Sequence, residues 1–485
     1  MKSAITGLQP EGVWRRFAEI ARIPRGSKNE AAISRFILET AKKLGLEAKA
    51  DGVGNVAVKK PASPGYEGSR GVCLQGHLDM VCEKVAGSSH DFSKDPIELV
   101  REGNVITAKG TTLGADNGIA VATCLAIMSD SSLEHGPIEF LLTVDEETGL
   151  TGASSLQAGF VESPILLNLD SEEEGALYVG CSGGRDTTGA WTASMEPVPP
   201  GMILIEVKIQ GLKGGHSGLE IDKGCGNAVK IMNRILLRLA DAGGRIAAID
   251  GGNKHNAIPR EAETRVFVPS SRIGEVRDRL RQTVSDICSE LATVEPTLSI
   301  SVSEMPKTRR GKVWKKALQK RVLQTLTVLP HGVIKMSADI PGLVETSTNL
   351  AIVKTEKNRI RIVTSQRSSV ASELGEIGEV MRTIFAMGGA EVHASDGYPG
   401  WKPNMDSEIL RLAKETYLGL YGKNPEVKAI HAGLECGIIG EKYPGMDMVS
   451  FGPTLQAVHT PDERIYIDTV ERFWQFLLAL LRKVR

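Results

Sequence analysis

Five short segments of this sequence place a histidine or a carboxylate where a metal site would use it. Gly71-Val-Cys-Leu-Gln-Gly-His77-Leu-Asp79 reads as a strand ending in His-x-Asp, and Leu113-Gly-Ala-Asp116-Asn-Gly118 as a glycine-flanked loop entering a helix. The apolar run Ile138 to Thr143 leads into Asp145-Glu146-Glu147-Thr-Gly149. Ile165-Leu-Leu-Asn-Leu-Asp170 is a strand terminating in a carboxylate, and Met448-Val-Ser-Phe-Gly-Pro453 leads to His459 in a loop. A lone acid or histidine at a strand end is more often a cap or a surface residue. Five in such contexts in one chain call for a common cause. Nitrogen and oxygen donors without thiolate suit Zn²⁺, or Co²⁺ or Mn²⁺ in its place. Two histidines, two aspartates and a glutamate exceed the needs of one tetrahedral catalytic ion, and suit two ions sharing a bridging carboxylate. Asp79, two residues past His77, is placed to orient that imidazole through its other nitrogen.

Elements that could bring such distant segments together follow from the hydrophobic pattern. The first third alternates apolar strands (Val53 to Val58, Gly71 to Leu74, Ile138 to Thr143, Pro164 to Leu169) with helices (Glu30 to Leu44, Ile119 to Met128). That predicts a buried, mostly parallel α/β sheet, whose sites lie beyond the carboxyl ends of the strands. The C-terminal segment repeats the idiom with a helix over Ser407 to Leu420, a strand over Asp447 to Phe451 and a closing helix over Thr469 to Arg482.

The middle predicts a β-α-β-β-α-β order, the ferredoxin-like unit: Met202 to Ile209, Asn227 to Ala240, Arg245 to Ile249, Glu263 to Val268, Arg272 to Leu291, Leu298 to Val302. A second stretch follows with helix Val313 to Leu326, strands Asn349 to Val353 and Arg359 to Thr364, helix Glu373 to Met387 and strand Ala390 to Ala394. It is the same unit without a clear first strand. The reading is therefore a discontinuous catalytic domain, residues 1–187 and 396–485, around an inserted α+β lid, residues 188–395, single or doubled.

Composition narrows the partners. Lys plus Arg number 58 against 59 Asp plus Glu, which gives no electrostatic reason for nucleic acid or an acidic membrane surface. No apolar run approaches the roughly 20 residues of a membrane helix, and Met1 to Pro10 has no apolar core of a secretory signal. Seven cysteines, none in Cys-x-x-Cys spacing, read as reduced thiols. The expectation is a cytoplasmic protein acting on a small substrate, with a homodimer compatible with base rates.

His77-Leu-Asp79-Met, Gly110-Thr-Thr-Leu-Gly-Ala-Asp116-Asn-Gly118, Thr143-Val-Asp-Glu146-Glu147-Thr-Gly149 and Asn168-Leu-Asp170-Ser-Glu-Glu-Glu-Gly175 resemble the ligand motifs of the carboxypeptidase G/aminoacylase/carnosinase metallopeptidases. Within that clan the pattern is most similar to the bacterial aminoacyl-histidine dipeptidases. It continues through Gly211-Leu-Lys-Gly-Gly-His216-Ser-Gly218, Asn256-Ala-Ile-Pro-Arg260, Ile430-His-Ala-Gly-Leu-Glu435-Cys-Gly437 and His459-Thr-Pro-Asp-Glu463. The resemblance implies two Zn²⁺ per subunit and hydrolysis of dipeptides, Xaa-His dipeptides such as carnosine included. It implies His77 and Asp170 on one ion, Glu147 and His459 on the other, and Asp116 on both. Glu146 is then the general base, and a non-proline cis bond follows Asp116. His216 corresponds to the lid histidine that steadies the oxyanion. Asn256 and Arg367 are candidates to hold substrate, and His431 and Glu435 to line the rim. An N-acyl amino acid hydrolase, a tripeptidase, or a binding protein that has kept the fold without the chemistry share these motifs as alternatives.

Overall fold

A computed structural model describes residues 4–305 and 311–485 as two compact units. Among the described residues, the first comprises 4–181, 401–429 and 434–485, and the second 182–305, 311–400 and 430–433.

The first unit is built on an eight-stranded sheet in the order Glu47–Ala50, Val56–Lys60, Ile138–Thr143, Val72–His77, Ile165–Asn168, Asp447–Ser450, Ala176–Cys181, Glu426–Ile430. Its centre is parallel. Ile138–Thr143, Val72–His77, Ile165–Asn168 and Asp447–Ser450 run together, whereas Val56–Lys60 and Ala176–Cys181 pair antiparallel on the flanks. The expectation of a mostly parallel sheet thus holds for the four strands that are buried along almost their whole length. Helix Ala115–Ser129 is buried along nearly every residue, which accounts for its lack of a polar face. A separate four-stranded sheet, Leu455–Gln456, Arg464–Tyr466, Val105–Ala108, Leu99–Glu102, is absent from the sequence reading. Its strands are too short for alternation to register.

The second unit holds a nine-stranded antiparallel sheet with two ferredoxin-like halves. One half takes Met202–Gln210, Arg245–Gly251, Ala262–Pro269 and Ser299–Met305 as strands one to four, in the order 4-1-3-2. The other repeats that order with Val344–Thr355, Arg359–Ser368 and Glu391–Ala394 as strands two to four. Its first strand is Gly183–Thr192, which precedes the whole first half in the chain and pairs with Arg359–Ser368 and Glu391–Ala394. The lid is therefore doubled by nesting, one copy inserted between the first strand and first helix of the other. The halves join where Asp250 and Gly251 pair with Lys354 and Val353. One element is corrected: the expected helix from Val313 begins only at Lys316, because Lys312–Trp314 pairs as a strand with Met195–Pro197.

Candidate metal centre

All five expected ligands, together with Glu146 and Asp79, belong to the first unit. His77 is the last residue of its strand, opposite Thr143 at the end of the neighbouring one. Asp170 lies two residues past Asn168, and Glu146 and Glu147 open a short helix after Thr143. Asp116 and Asn117 break helical geometry (φ −79°, ψ 110° and φ −105°, ψ 31°) ahead of the regular turns, and the bond joining them is cis. His459 sits in the loop of the hairpin that pairs Leu455 with Ile465, at φ +63°.

These placements converge. His77 Nε2 lies 3.1 Å from Asp116 Oδ1 and 3.4 Å from Asp170 Oδ1. His459 Nε2 lies 3.0 Å from Asp116 Oδ2 and 3.0 Å from Glu147 Oε2. Asp116 thus gives one oxygen to each of two ligand sets, His77–Asp116–Asp170 and Asp116–Glu147–His459, each within 4.8 Å. A third set of equal tightness exchanges Asp116 and Asp170 for Glu146 and Glu147 around His77. On the far side of its ring, His77 Nδ1 faces Asp79 Oδ1 at 3.3 Å. Asp79 also accepts the backbone N–H groups of Glu146 and Glu147 and the Ser27 hydroxyl. It ties the imidazole to the turn that carries Glu146 and Glu147.

The electrostatics fit cations. Burial opposes charge on His77, but Asp170, Asp116 and Asp79 outweigh it and hold the imidazole well above its ordinary range. Hydrogen bonds to Asp116 and Glu147 push His459 up to about 11. Burial drives Asp170 up to about 6, Glu172 up to about 8 and Glu146 well above the carboxylate range, and neighbouring acids reinforce each shift. Asp116 goes the other way, since its two imidazoles overcome its burial. Glu147 Oε1 is buried without a hydrogen-bond partner, and Asp170 Oδ1 has only the His77 imidazole at 3.4 Å. A site that draws protons onto acids and bases alike and leaves a buried acceptor unused is short of positive charge. Two divalent ions fit it.

Residues that sequence reasoning passed over build this geometry. The Arg25 guanidinium, buried, donates to Leu78 O (2.9 Å), Asp79 O (2.8 Å) and Gly114 O. A Cβ at Gly114 or Gly118 would stand 2.6 or 2.5 Å from its Nη2, so both glycines flanking Asp116 are fixed by Arg25. Glu463 receives the backbone N–H groups of Leu113, Gly114, Ala115 and Asp116 at 2.8–3.3 Å. Glu463→Ala strips the acceptor from four backbone donors, three of them in buried bonds. It is expected to lower the unfolding free energy by at least about 2 kcal/mol in denaturant titrations.

In the second unit, His216, Arg367 and His431 come together. His216 Nδ1 accepts the backbone N–H groups of Gly218 and Leu219, both at 3.2 Å. Burial, then the Arg367 charge, pulls this imidazole down to about 4. The neutral ring therefore carries its proton on Nε2, which lies 3.4 Å from Arg367 Nη2. Two donors side by side are arranged for a shared oxygen acceptor. Arg367 also donates to Tyr398 OH at 2.9 Å and to Ser217 Oγ at 3.4 Å. His431 Nε2 meets Ser347 Oγ at 2.7 Å, and its Nδ1 is buried without a partner. Asn256 and His216 line a cavity of about 790 Å³ with Lys208, Lys213, Lys254 and Arg260. Glu435 does not join this group. It belongs to the first unit and is 0% exposed, which argues against a place on a substrate rim.

Peptidase family M20/M25/M40 matches residues 73–483 of the chain. The chain belongs to that family. It is 39% identical over 483 residues to the cytosol non-specific dipeptidase of Escherichia coli (strain K12), covering 99% of both chains. The crystal structure of aminoacylhistidine dipeptidase from Vibrio alginolyticus superposes with a TM-score of 0.91 at 41% identity, over 99% of this chain and 98% of that one. An aminopeptidase of Bacillus cereus, PepT, shares the fold at a TM-score of 0.57 and 16% identity, over 98% of this chain and 99% of that one. The M20 peptidase has no helix among its described residues long and apolar enough to cross a membrane.

Proposed function

We propose that this M20 peptidase is a two-metal dipeptidase that cleaves the single peptide bond of free dipeptides, Xaa-His dipeptides such as carnosine among them. The observation that carries the reading is Asp116 shared by two histidine–carboxylate sets, with Glu146 beside both. The dipeptidases named above direct it toward dipeptides. The ions are Zn²⁺, with Co²⁺ or Mn²⁺ as substitutes, held by His77, Asp116 and Asp170 and by Asp116, Glu147 and His459. Bound there, they supply Lewis acidity for the scissile carbonyl and lower the pKa of the attacking water. Glu146 takes the proton of that water and returns it to the leaving amine. Asp79 keeps His77 oriented. The His216 Nε2–H donates to the developing oxyanion, Arg367 grips the C-terminal carboxylate, and Asn256 and His431 contribute further substrate contacts. A homodimer in the cytosol is the assembly and place this reading adopts, the latter on the name of the Escherichia coli relative.

Chelator-stripped protein, assayed with and without added Zn²⁺, Co²⁺ or Mn²⁺ on a dipeptide panel including β-Ala-His, tests the reading. Metal-dependent cleavage of free dipeptides with N-acyl amino acids untouched supports it. Cleavage of the N-acyl compounds instead would assign the acylase chemistry. Arg367→Ala is expected to raise KM for dipeptides by about tenfold to a hundredfold, the worth of a charged hydrogen bond, and to affect dipeptide amides far less. An equal loss on both would remove the carboxylate contact from the proposal.

A further inference from the structure

Beneath the ligands of the first unit runs a line of buried polar side chains. Ser171 Oγ meets Ser450 Oγ at 2.6 Å, Ser450 donates to Asn168 Oδ1, and Asn168 Nδ2 donates to Gln75 Oε1. Gln75 Nε2 then donates to Glu435 Oε2 at 2.6 Å, and Thr143 Oγ1 donates to the same oxygen at 2.6 Å. All six residues are buried. Their positions in the sheet give the line its meaning. Thr143, Gln75, Asn168 and Ser450 stand at or near the carboxyl ends of the four adjacent parallel strands, with Gln75 in register with Asn168 and Asn168 with Ser450. Gln75 precedes His77 by two residues, Asn168 precedes Asp170 by two, and Thr143 precedes Glu146 and Glu147 by three and four.

Glu435, first residue of helix Glu435–Lys442, closes the line. Its Oε2 receives donors from two different strands while its Oε1 is buried without a partner. A fully buried carboxyl with half its acceptors unused is costly to keep. Its burial excludes a surface role, and no side-chain cap hydrogen bond is made at the start of the helix it opens. The compensation is geometric: one oxygen fixes the strand of His77 relative to the strand that delivers Glu146 and Glu147. Burial pushes this carboxyl up to about 7, against the Thr143 hydrogen bond and the His77 charge, and glutamine matches its shape while keeping one oxygen to accept both donors.

We propose that Glu435 is a positioning residue of the metal centre, which sets the separation of the His77 and Glu147 ligand arms by receiving Gln75 and Thr143 on one carboxyl oxygen. The proposal rests on the ligand assignment given above. Residues that orient ligands of a metal typically carry about tenfold to a hundredfold in metal affinity.

The test is Zn²⁺ affinity of the stripped full-length protein, measured by competition with a chromogenic chelator, beside the thermal unfolding midpoint of the same apo-protein. Glu435→Leu is expected to weaken binding of at least one ion by about tenfold to a hundredfold. Glu435→Gln, which keeps one oxygen to accept both donors, is expected to stay within about threefold of the parent. A purely structural role would lower the apo midpoint and leave the affinities alone, and would overturn the proposal. Equal damage from the glutamine and leucine variants would overturn it as well, since it would assign the effect to charge. Should Glu435→Leu not fold, Gln75→Leu and Thr143→Val each remove one donor, and unchanged affinity in both sinks the proposal. If the parent protein binds no Zn²⁺, the ligand assignment itself fails, which is a separate and recognisable outcome.

Discussion

Glu146→Gln is expected to lower kcat for a dipeptide by about a hundredfold to ten-thousandfold, with KM little changed and both ions retained. The amide is isosteric with the carboxylate but cannot accept the proton of the attacking water, so binding survives and chemistry does not. Metal content is the critical control, because His77, Glu146 and Glu147 also form a set within 4.8 Å. Were Glu146 a ligand, the variant would lose an ion together with its rate. Two features favour the base. Asp116, not Glu146, is the residue at 3.0–3.1 Å from both imidazoles. Burial, joined by the charges of Asp170, Glu435 and Glu147, also makes Glu146 an avid proton acceptor. A base must be ionised to act, so the parent rate falls as pH drops through the pKa of Glu146 in the loaded enzyme. Residual turnover in Glu146→Gln is expected to have lost that acid limb. Full turnover with both ions present would remove the assignment.

Three of the expected ligands were legible because His77, Glu147 and Asp170 stand at or just past the ends of short, mostly apolar strands. Such a run has few ways to end in a charge unless the charge is used. Asp116 and His459, by contrast, sit in loops and were legible only from their neighbours. The parts that hold the ligands were not legible, for three different reasons. Arg25 and Glu463 act through backbone carbonyls and N–H groups of distant segments, and a sequence shows side chains, not which main-chain groups need partners. The missing first strand of the second ferredoxin-like half, Gly183–Thr192, lies outside the contiguous window in which the unit was sought, with the other half inserted before its helix Lys316–Val328. His431 and Glu435, four residues apart in one motif, read as a single rim. The chain assigns 430–433 to the second unit and Glu435 to the first, where it is wholly buried. Proximity in sequence was the wrong guide there. The hydrogen-bond demand of each side chain is the right one.

Removing the metals is expected to abolish dipeptide hydrolysis and to reverse the pH dependence of stability. Without ions, Asp170 has its folded pKa raised to about 6 from an ordinary 3.8, and His459 to about 11 from 6.5. In both cases the folded state binds more protons than the unfolded chain. The stability from Asp170 is complete below 3.8 and lost as pH rises through about 6. That from His459 is complete below 6.5 and lost as pH rises toward about 11. The apo-protein should therefore weaken as pH climbs from 5 to about 9 in urea titrations. The loaded protein should strengthen over the lower part of that range, because ligands must shed protons to hold the ions, so binding tightens with pH and releases protons. At a free metal concentration about a thousandfold above Kd, each ion adds about 4 kcal/mol to the folded state. The gain from metal should consequently be large near pH 8 and small near pH 5, the apo and loaded curves drawing together as acid displaces the ions. Parallel curves across the range would mean that protons and metals do not compete for the same groups, and would rule out His77, Asp116, Glu147, Asp170 and His459 as the ligand set.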